Sequence, residues 1–273
     1  MKFTKMMFVL VAVFAVFLYA PGEGYSAPIT FTGIDPVDGT PFTNSSQAAN
    51  NFDAAVALLG TANVITFESA TIGSSSFTAA SGVGVAYSGE NQNLTITPNP
   101  TYYSGVNADD PFFLDSAWGF NTTTGGSQFI GLCPVGSIGR ADDVIASITF
   151  SFATPINAFG GYFTGLEATQ GPVTLNYVTT GGSYSLEIEK PLAEWDEQGI
   201  RFFGITDTDS ITQITLTEII PSGSDKTDFW GLDDVRYASG TAPPAPVPEP
   251  STMLLLGSGL VGLLGYGRMQ LKK

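Results

Sequence analysis

From Thr61 onward, apolar and polar residues alternate with period two, the spacing of strands that bury one face. Val64-Ile65-Thr66-Phe67 begins the pattern, followed by Val83 to Tyr87 and Leu94 to Thr97, which ends at Pro98. Further on, Ser147 to Phe152 and Ser183 to Glu189 alternate cleanly. Val173, Leu175 and Tyr177 form another apolar face, as do Ile214 and Leu216. Gly125-Gly126 and Gly181-Gly182 mark turns, the second joining two alternating strands as a hairpin. About ten short strands broken by Gly, Pro, Asn and Asp spell an all-β fold: an antiparallel, jelly-roll-like β-sandwich over residues 61–238. One domain of about 180 residues can bury a sufficient core without disulfides.

Helical spacing is confined to one soluble stretch. Ser45 to Leu59 places Phe52, Val56 and Leu59 on one face, with Ser45 or Ser46 as cap and Gly60 as stop. Ala27 to Asn44 before it reads as loop or short edge strand, so residues 28–60 form an N-terminal segment carrying the helix.

The two ends break the pattern. Lys2 and Lys5 precede an apolar run from Met6 to Ala20, a signal peptide over residues 1–27 with cleavage candidates after Ala20 and Ala27, each followed by proline. At the other end, Ala238 to Val247 is a Pro/Ala linker, and 239–250 closes with Val-Pro-Glu-Pro. Met253 to Gly267 has no charge and makes about 22 Å of helix, short against the roughly 30 Å of a hydrocarbon core. A single short transmembrane helix over 251–267, then Arg268, Lys272 and Lys273 on the cytoplasmic side, is the expected arrangement.

Pro248-Glu249-Pro250, the Leu/Gly-rich helix and the basic end together resemble the PEP-CTERM sorting signal of exosortase substrates. The resemblance covers about the last tenth of the chain. It implies export across a Gram-negative-type envelope and a transient stay in the inner membrane. Exosortase would then cleave near Pro248-Glu249-Pro250 and release the protein to the cell surface or extracellular matrix.

Charge and residue usage narrow the function. Residues 27–242 hold five basic and twenty-three acidic side chains, net −18, a field that repels nucleic acid. Histidine is absent, which removes Ser-His-Asp, Cys-His and His-zinc chemistry. Cys133, alone in an apolar setting, reads as a buried small hydrophobe. What remains is a non-catalytic binding module for exopolysaccharide or another glycan, a carboxylate-based glycan hydrolase or lyase, or a purely structural biofilm component.

Phe229 to Tyr237 is the most informative internal stretch, because it carries Asp233-Asp234 inside an aromatic-apolar strand. Strand alternation points these carboxylates to opposite faces, and the inward one needs a cation or donors. With Phe67-Glu68, the stretch resembles the opening Phe-Glu and closing Asp-Asp-Val of jelly-roll carbohydrate-binding modules. That resemblance implies neighbouring first and last strands and a structural calcium on Glu68 and Asp234. The alternative is that the aspartates cap the strand or pair with Arg201 or Arg236. Asp109-Asp110, Asp142-Asp143 and Asp207-Thr208-Asp209 read as solvated loop acids. Tyr102, Tyr103, Trp118 and Trp195 are candidates for stacking on sugar rings, against the alternative of core filling.

Overall fold

The computed structural model describes residues 27–35, 42–89, 94–95, 101–102, 105–108, 119–134, 141–166, 172–189, 199–223 and 229–240. Strand β1 (Ile29–Asp35) and helix α1 (Thr43–Val56) come first. Then follow β2 (Asn63–Ile65), β3 (Ser76–Ala80), β4 (Val83–Gly89), β5 (Leu94–Thr95) and β6 (Thr101–Tyr102). The remaining strands are β7 (Gly105–Ala108), β8 (Gln128–Leu132), β9 (Val144–Thr164), β10 (Val173–Thr179), β11 (Ser183–Ile188), β12 (Ile200–Ile220) and β13 (Trp230–Ala238). Eleven of these strands form one continuous antiparallel sheet, while β5 and β6 pair only with each other.

That sheet becomes a sandwich because its two longest strands turn a corner together. β9 and β12 span 21 residues each and pair through both halves, with register breaks between Thr206, Ile211 and Gln213. Pro155 lies at the corner of β9, where a missing N–H costs no ladder bond. Asn157 fixes the corner of β12 by donating Nδ2 to the carbonyls of Asp207 and Asp209, each at 3.2 Å. The irregularity also shifts the inward phase of β9, from Ile148 and Phe150 before the corner to Phe159 and Phe163 after it. About ten short strands were expected; two of them are long because the corner residues resemble loop while the alternation resumes beyond.

Before the corner the layer runs β3-β4-β9-β12-β10-β11. Beyond it, β9 and β12 continue into a second layer with β1 on one side and β13, β8 and β7 on the other, and β2 also pairs with β13. The inward faces share one core, in which Phe150 meets Phe159 edge-on at 5.3 Å. β10 and β11 form the expected hairpin, with Val178 opposite Ser183 around Gly181-Gly182. The antiparallel β-sandwich read from the alternation is the fold that forms.

Helix α1 covers the outer face of the second layer. Phe52 is fully buried there, 5.6 Å from Phe31 and 5.5 Å from Phe202. Gly204 makes this approach possible, since a Cβ on it would stand 2.7 Å from the Phe52 ring. Burying Phe52 contributes about 1.5–3 kcal/mol. The helix begins at Thr43, and neither Ser45 nor Ser46 caps it with a side chain. The cap comes instead from Asp35, at the end of β1. Its Oδ1 accepts from the Asn44 N–H at 2.9 Å, and its Oδ2 accepts from the Ser45 N–H and hydroxyl, both at 2.7 Å. Among the described residues, no helix is long and apolar enough to cross a membrane; residues 241–273, with the expected C-terminal span, lie outside them.

Candidate functional site

Strand β13 changes partner in mid-course. Trp230–Leu232 pair with β8 and Val235–Tyr237 pair with β2, so Asp233 and Asp234 sit at the switch. On the opposite side, the register against β9 breaks between Asp233 and Arg236. Two non-glycine residues adopt left-handed backbone at this seam, Asp234 at φ 47° and Phe67 at φ 60°. Aspartate tolerates that region, but for phenylalanine it is strained by about 1–3 kcal/mol. Burial of Phe67 and its edge-on contact with Phe77, at 6.3 Å, hold it there.

The turn at Asp234 breaks strand alternation, and both carboxylates reach Thr122 and Thr123. This corrects the expectation that they point apart. Asp233 Oδ2 accepts from the N–H groups of Thr122 at 2.7 Å and Thr123 at 3.0 Å, and lies 3.1 Å from each of their hydroxyls. The same hydroxyls lie near Asp234, Thr122 Oγ1 at 3.3 Å from Oδ2 and Thr123 Oγ1 at 2.8 Å from Oδ1. Each hydroxyl carries one proton, so two hydroxyls cannot donate in all four contacts at once. Each hydroxyl is thus shared between the two carboxylates. Asp233 is fully buried, and its Oδ1 has no hydrogen-bond partner among the described residues. Burial pushes its carboxyl up to about 6, the neighbouring Asp234 charge adding to this and the Thr122, Asp234 and Thr123 backbone amides opposing it.

The strap that delivers these threonines is packed tightly onto the second layer. A Cβ on Gly119 would come within 2.3 Å of Gly231 backbone, and the Phe120 N–H donates to Thr164 Oγ1 at 2.9 Å. The Thr164 hydroxyl returns a bond to the Phe120 carbonyl at 3.0 Å. After Thr123 the chain turns, the Gly126 N–H bonding to the Thr123 carbonyl at 2.9 Å. Glu68 then secures the far side of the turn: its Oε1 accepts from the Ser127 and Gln128 N–H groups, both at 2.9 Å.

Glu68 and Asp234 thus stabilise the two ends of one strap through separate hydrogen-bond sets. Among the described residues, no three acidic, histidine or cysteine side chains gather as a metal cluster. The oxygens whose chemistry suits a hard cation are the partnerless Asp233 Oδ1, the Asp234 carboxylate and the two threonine hydroxyls. Neither arginine pairs with these carboxylates. Arg236 bonds Asp53 at 3.3 Å and the Asp234 carbonyl at 3.0 Å, and Arg201 bonds Glu189 at 3.3 Å.

Of the aromatic candidates, Tyr102 lies in β6 opposite Leu94, with its side chain outside the description. Tyr103, Trp118 and Trp195 lie outside the described residues, as do Asp109-Asp110 and the Pro248-Glu249-Pro250 collar. Cys133 is buried. Asp143 fits the picture of a loop acid, accepting from the Ser222 N–H at 2.8 Å. Asp207 does not: it is buried at the corner of β12, accepting from the Tyr177 hydroxyl at 2.8 Å and the Asp209 N–H at 2.9 Å. Thr122 and Thr123 carried no sequence signal beyond a polar run ahead of Gly125-Gly126.

Residues 246–268 match the family model of the PEP-CTERM protein-sorting motif, the sorting signal of exported proteins. No curated protein matches the chain. Among solved structures, the K2 cleaved adhesin domain of Lys-gingipain is similar at 12% identity and TM-score 0.36, over 66% of this chain and 98% of that one. The module TmCBM61, solved with β-1,4-galactotriose, is similar at 12% identity and TM-score 0.33, over 57% of this chain and 88% of that one. A family 11 carbohydrate-binding module from Clostridium thermocellum is similar at 6% identity and TM-score 0.31, over 66% and 96%.

Proposed function

We propose that this chain is an exported surface or matrix protein of a Gram-negative-type bacterium, whose β-sandwich is a non-catalytic module that binds exopolysaccharide. The burial of Asp233 carries the non-catalytic part. These carboxylates converge, as hydrolysis would need, but Asp233 is fully buried beneath the Thr122-Thr123 strap and offers no face to a substrate. The sorting motif at 246–268 favours the extracellular setting.

Glycan binding is tested by retention on an affinity gel of the native exopolysaccharide. Retention lost on Trp118→Ala is the expected result; an unretained wild type leaves the structural-component reading, and release of reducing ends would establish the hydrolase. Exosortase processing is tested by replacing Pro248-Glu249-Pro250 with alanines, which should leave full-length protein in the inner membrane. Calcium would be held by Asp234 with Asp233 Oδ1, in place of the expected Glu68, whose Oε1 accepts from the Ser127 and Gln128 N–H groups, and would supply charge compensation at the seam, with no part in bond cleavage. Chelator should then lower the melting temperature, and superimposable curves in calcium and chelator would remove the metal.

A further inference from the structure

The outer face of the first layer is nearly free of charge. Strand register places Ser76, Ala86, Thr149, Thr215, Asn176 and Ser185 in one row across all six strands. A second row runs from Ser88 through Ser147, Thr217 and Thr174 to Glu187. The third runs from Thr78 and Gly84 through Ser151 and Gln213 to Val178 and Ser183. The residues between them, such as Val85, Phe150, Leu216 and Leu175, are buried in the core, so these rows face outward. Glu187, on the edge strand, is the one ionisable side chain in the three rows, in a domain that carries net −18.

We propose that this face is where two copies of this protein meet. Six strands at about 4.8 Å spacing and seven residues at about 3.4 Å give a patch of about 29 by 24 Å. Covering it buries about 700 Å² per copy and about 1,400 Å² in total, within the range of about 1,200–2,000 Å² for stable interfaces. Electrostatics favours a second copy here, since elsewhere on the surface two −18 domains repel and on this face charged side chains are depleted, although the face is rich in Ser where interface centres favour aromatics.

The hydroxyls at the centre of the face are already paired, which lowers the cost of removing water there. Ser147 Oγ lies 3.2 Å from Thr217 Oγ1, and Thr149 Oγ1 lies 3.1 Å from Thr215 Oγ1. Asn176 donates to Thr174 Oγ1 at 3.0 Å. Val178, 45% exposed, adds apolar area that a partner covers. No described aromatic stands in these rows for a sugar ring to stack on, so sheet-on-sheet packing of a second copy fits the surface better than a glycan.

The test is sedimentation velocity on the full chain in mild detergent, with disulfide trapping in an oxidising compartment. Wild type should dimerise, more tightly at higher salt because the net charges repel. The double variant Thr149→Glu/Thr215→Glu should raise the dimer Kd at least tenfold, measured well below its melting temperature, which the two facing like charges lower. Ser151→Glu, at an exposed position, gives the same loss where the double variant fails to fold. Thr215→Cys should trap a reducible dimer and Leu58→Cys, exposed on the helix side, should not. A wild-type monomer at all concentrations, a dimer indifferent to both acidic variants, or equal trapping by the Thr215→Cys and Leu58→Cys variants overturns the proposal. A monomer whose retention on a neutral glycan gel falls with Ser151→Glu also overturns it, and makes the face a glycan surface; Trp118→Ala reports separately on the glycan reading above.

Discussion

Asp35 and Asp233 are both buried carboxylates that gather backbone amides from another segment, nine or ten residues on for Asp35 and at least 110 residues back for Asp233, yet the fold treats them oppositely. Asp35 has both oxygens occupied, one by the Asn44 N–H and one by the Ser45 N–H and hydroxyl, at the positive end of α1. Burial alone would raise its carboxyl, but the hydrogen bonds from Ser45, Asn44 and Thr43 outweigh that and hold it below the usual range. Asp233 collects its donors on Oδ2 while Oδ1 has none, and a second carboxylate lies alongside. Its charge is therefore disfavoured. What separates the two is how the donors are distributed over the oxygens and what other charge is near, more than the number of bonds.

The largest break in this symmetry should come from Asp35→Ala. Three donors lose a charged acceptor and the helix loses its cap, which should cost about 4 kcal/mol in urea unfolding. Asp35→Asn, which keeps one acceptor oxygen, should cost about half of that. A loss under about 1 kcal/mol for the alanine variant would mean that Ser45 or Ser46 takes over the cap.

The next effect is a pair of opposed pH slopes. Asp233 has a folded pKa raised from 3.8 to about 6, so its stabilisation is present below the ordinary value and is lost as pH rises through about 6. That difference amounts to about 3 kcal/mol at most, and the slope should vanish in Asp233→Asn. Asp35 is lowered, so its stabilisation is present above the ordinary value and is lost as pH falls through the folded one; Asp35→Asn should remove that acid limb. If Asp233→Asn leaves the slope between pH 4 and about 6 untouched, another group is responsible.

The smallest effect is expected at the strap. Thr123→Val removes one hydroxyl shared between Asp233 and Asp234 but keeps the amide, and should cost about 1 kcal/mol at pH 7. The cost should grow when the pair is fully ionised and shrink when Asp233 is protonated. A pH-independent cost would place the Thr123 hydroxyl outside the clasp.

Much of the sandwich was legible because alternation is a local signal. Val173 to Tyr177 and Ser183 to Glu189 announced a hairpin, and Gly181-Gly182 its turn, which β10 and β11 adopt in register. The long strands were not legible, since Pro155 and the Asp207-Thr208-Asp209 run look like loop and are the corner. Asp233-Asp234 stood out in the sequence as carboxylates that needed a reason. Their partners Thr122 and Thr123 did not, because 110 residues or more separate them and nothing local marks a threonine as a clasp.

By itself the sequence determined the class of fold, the acidic body and the sorted, apolar end, all properties of composition and short-range period. Tertiary structure decided how carboxylates are used: Asp35 caps a helix whose own serines do not, and a left-handed turn at Asp234 brings two side chains to one side. It also decided which rows of serine and threonine lie across six strands, because register is a contact between segments distant in the chain. Period two tells each residue which side it faces; only pairing tells it whom it faces.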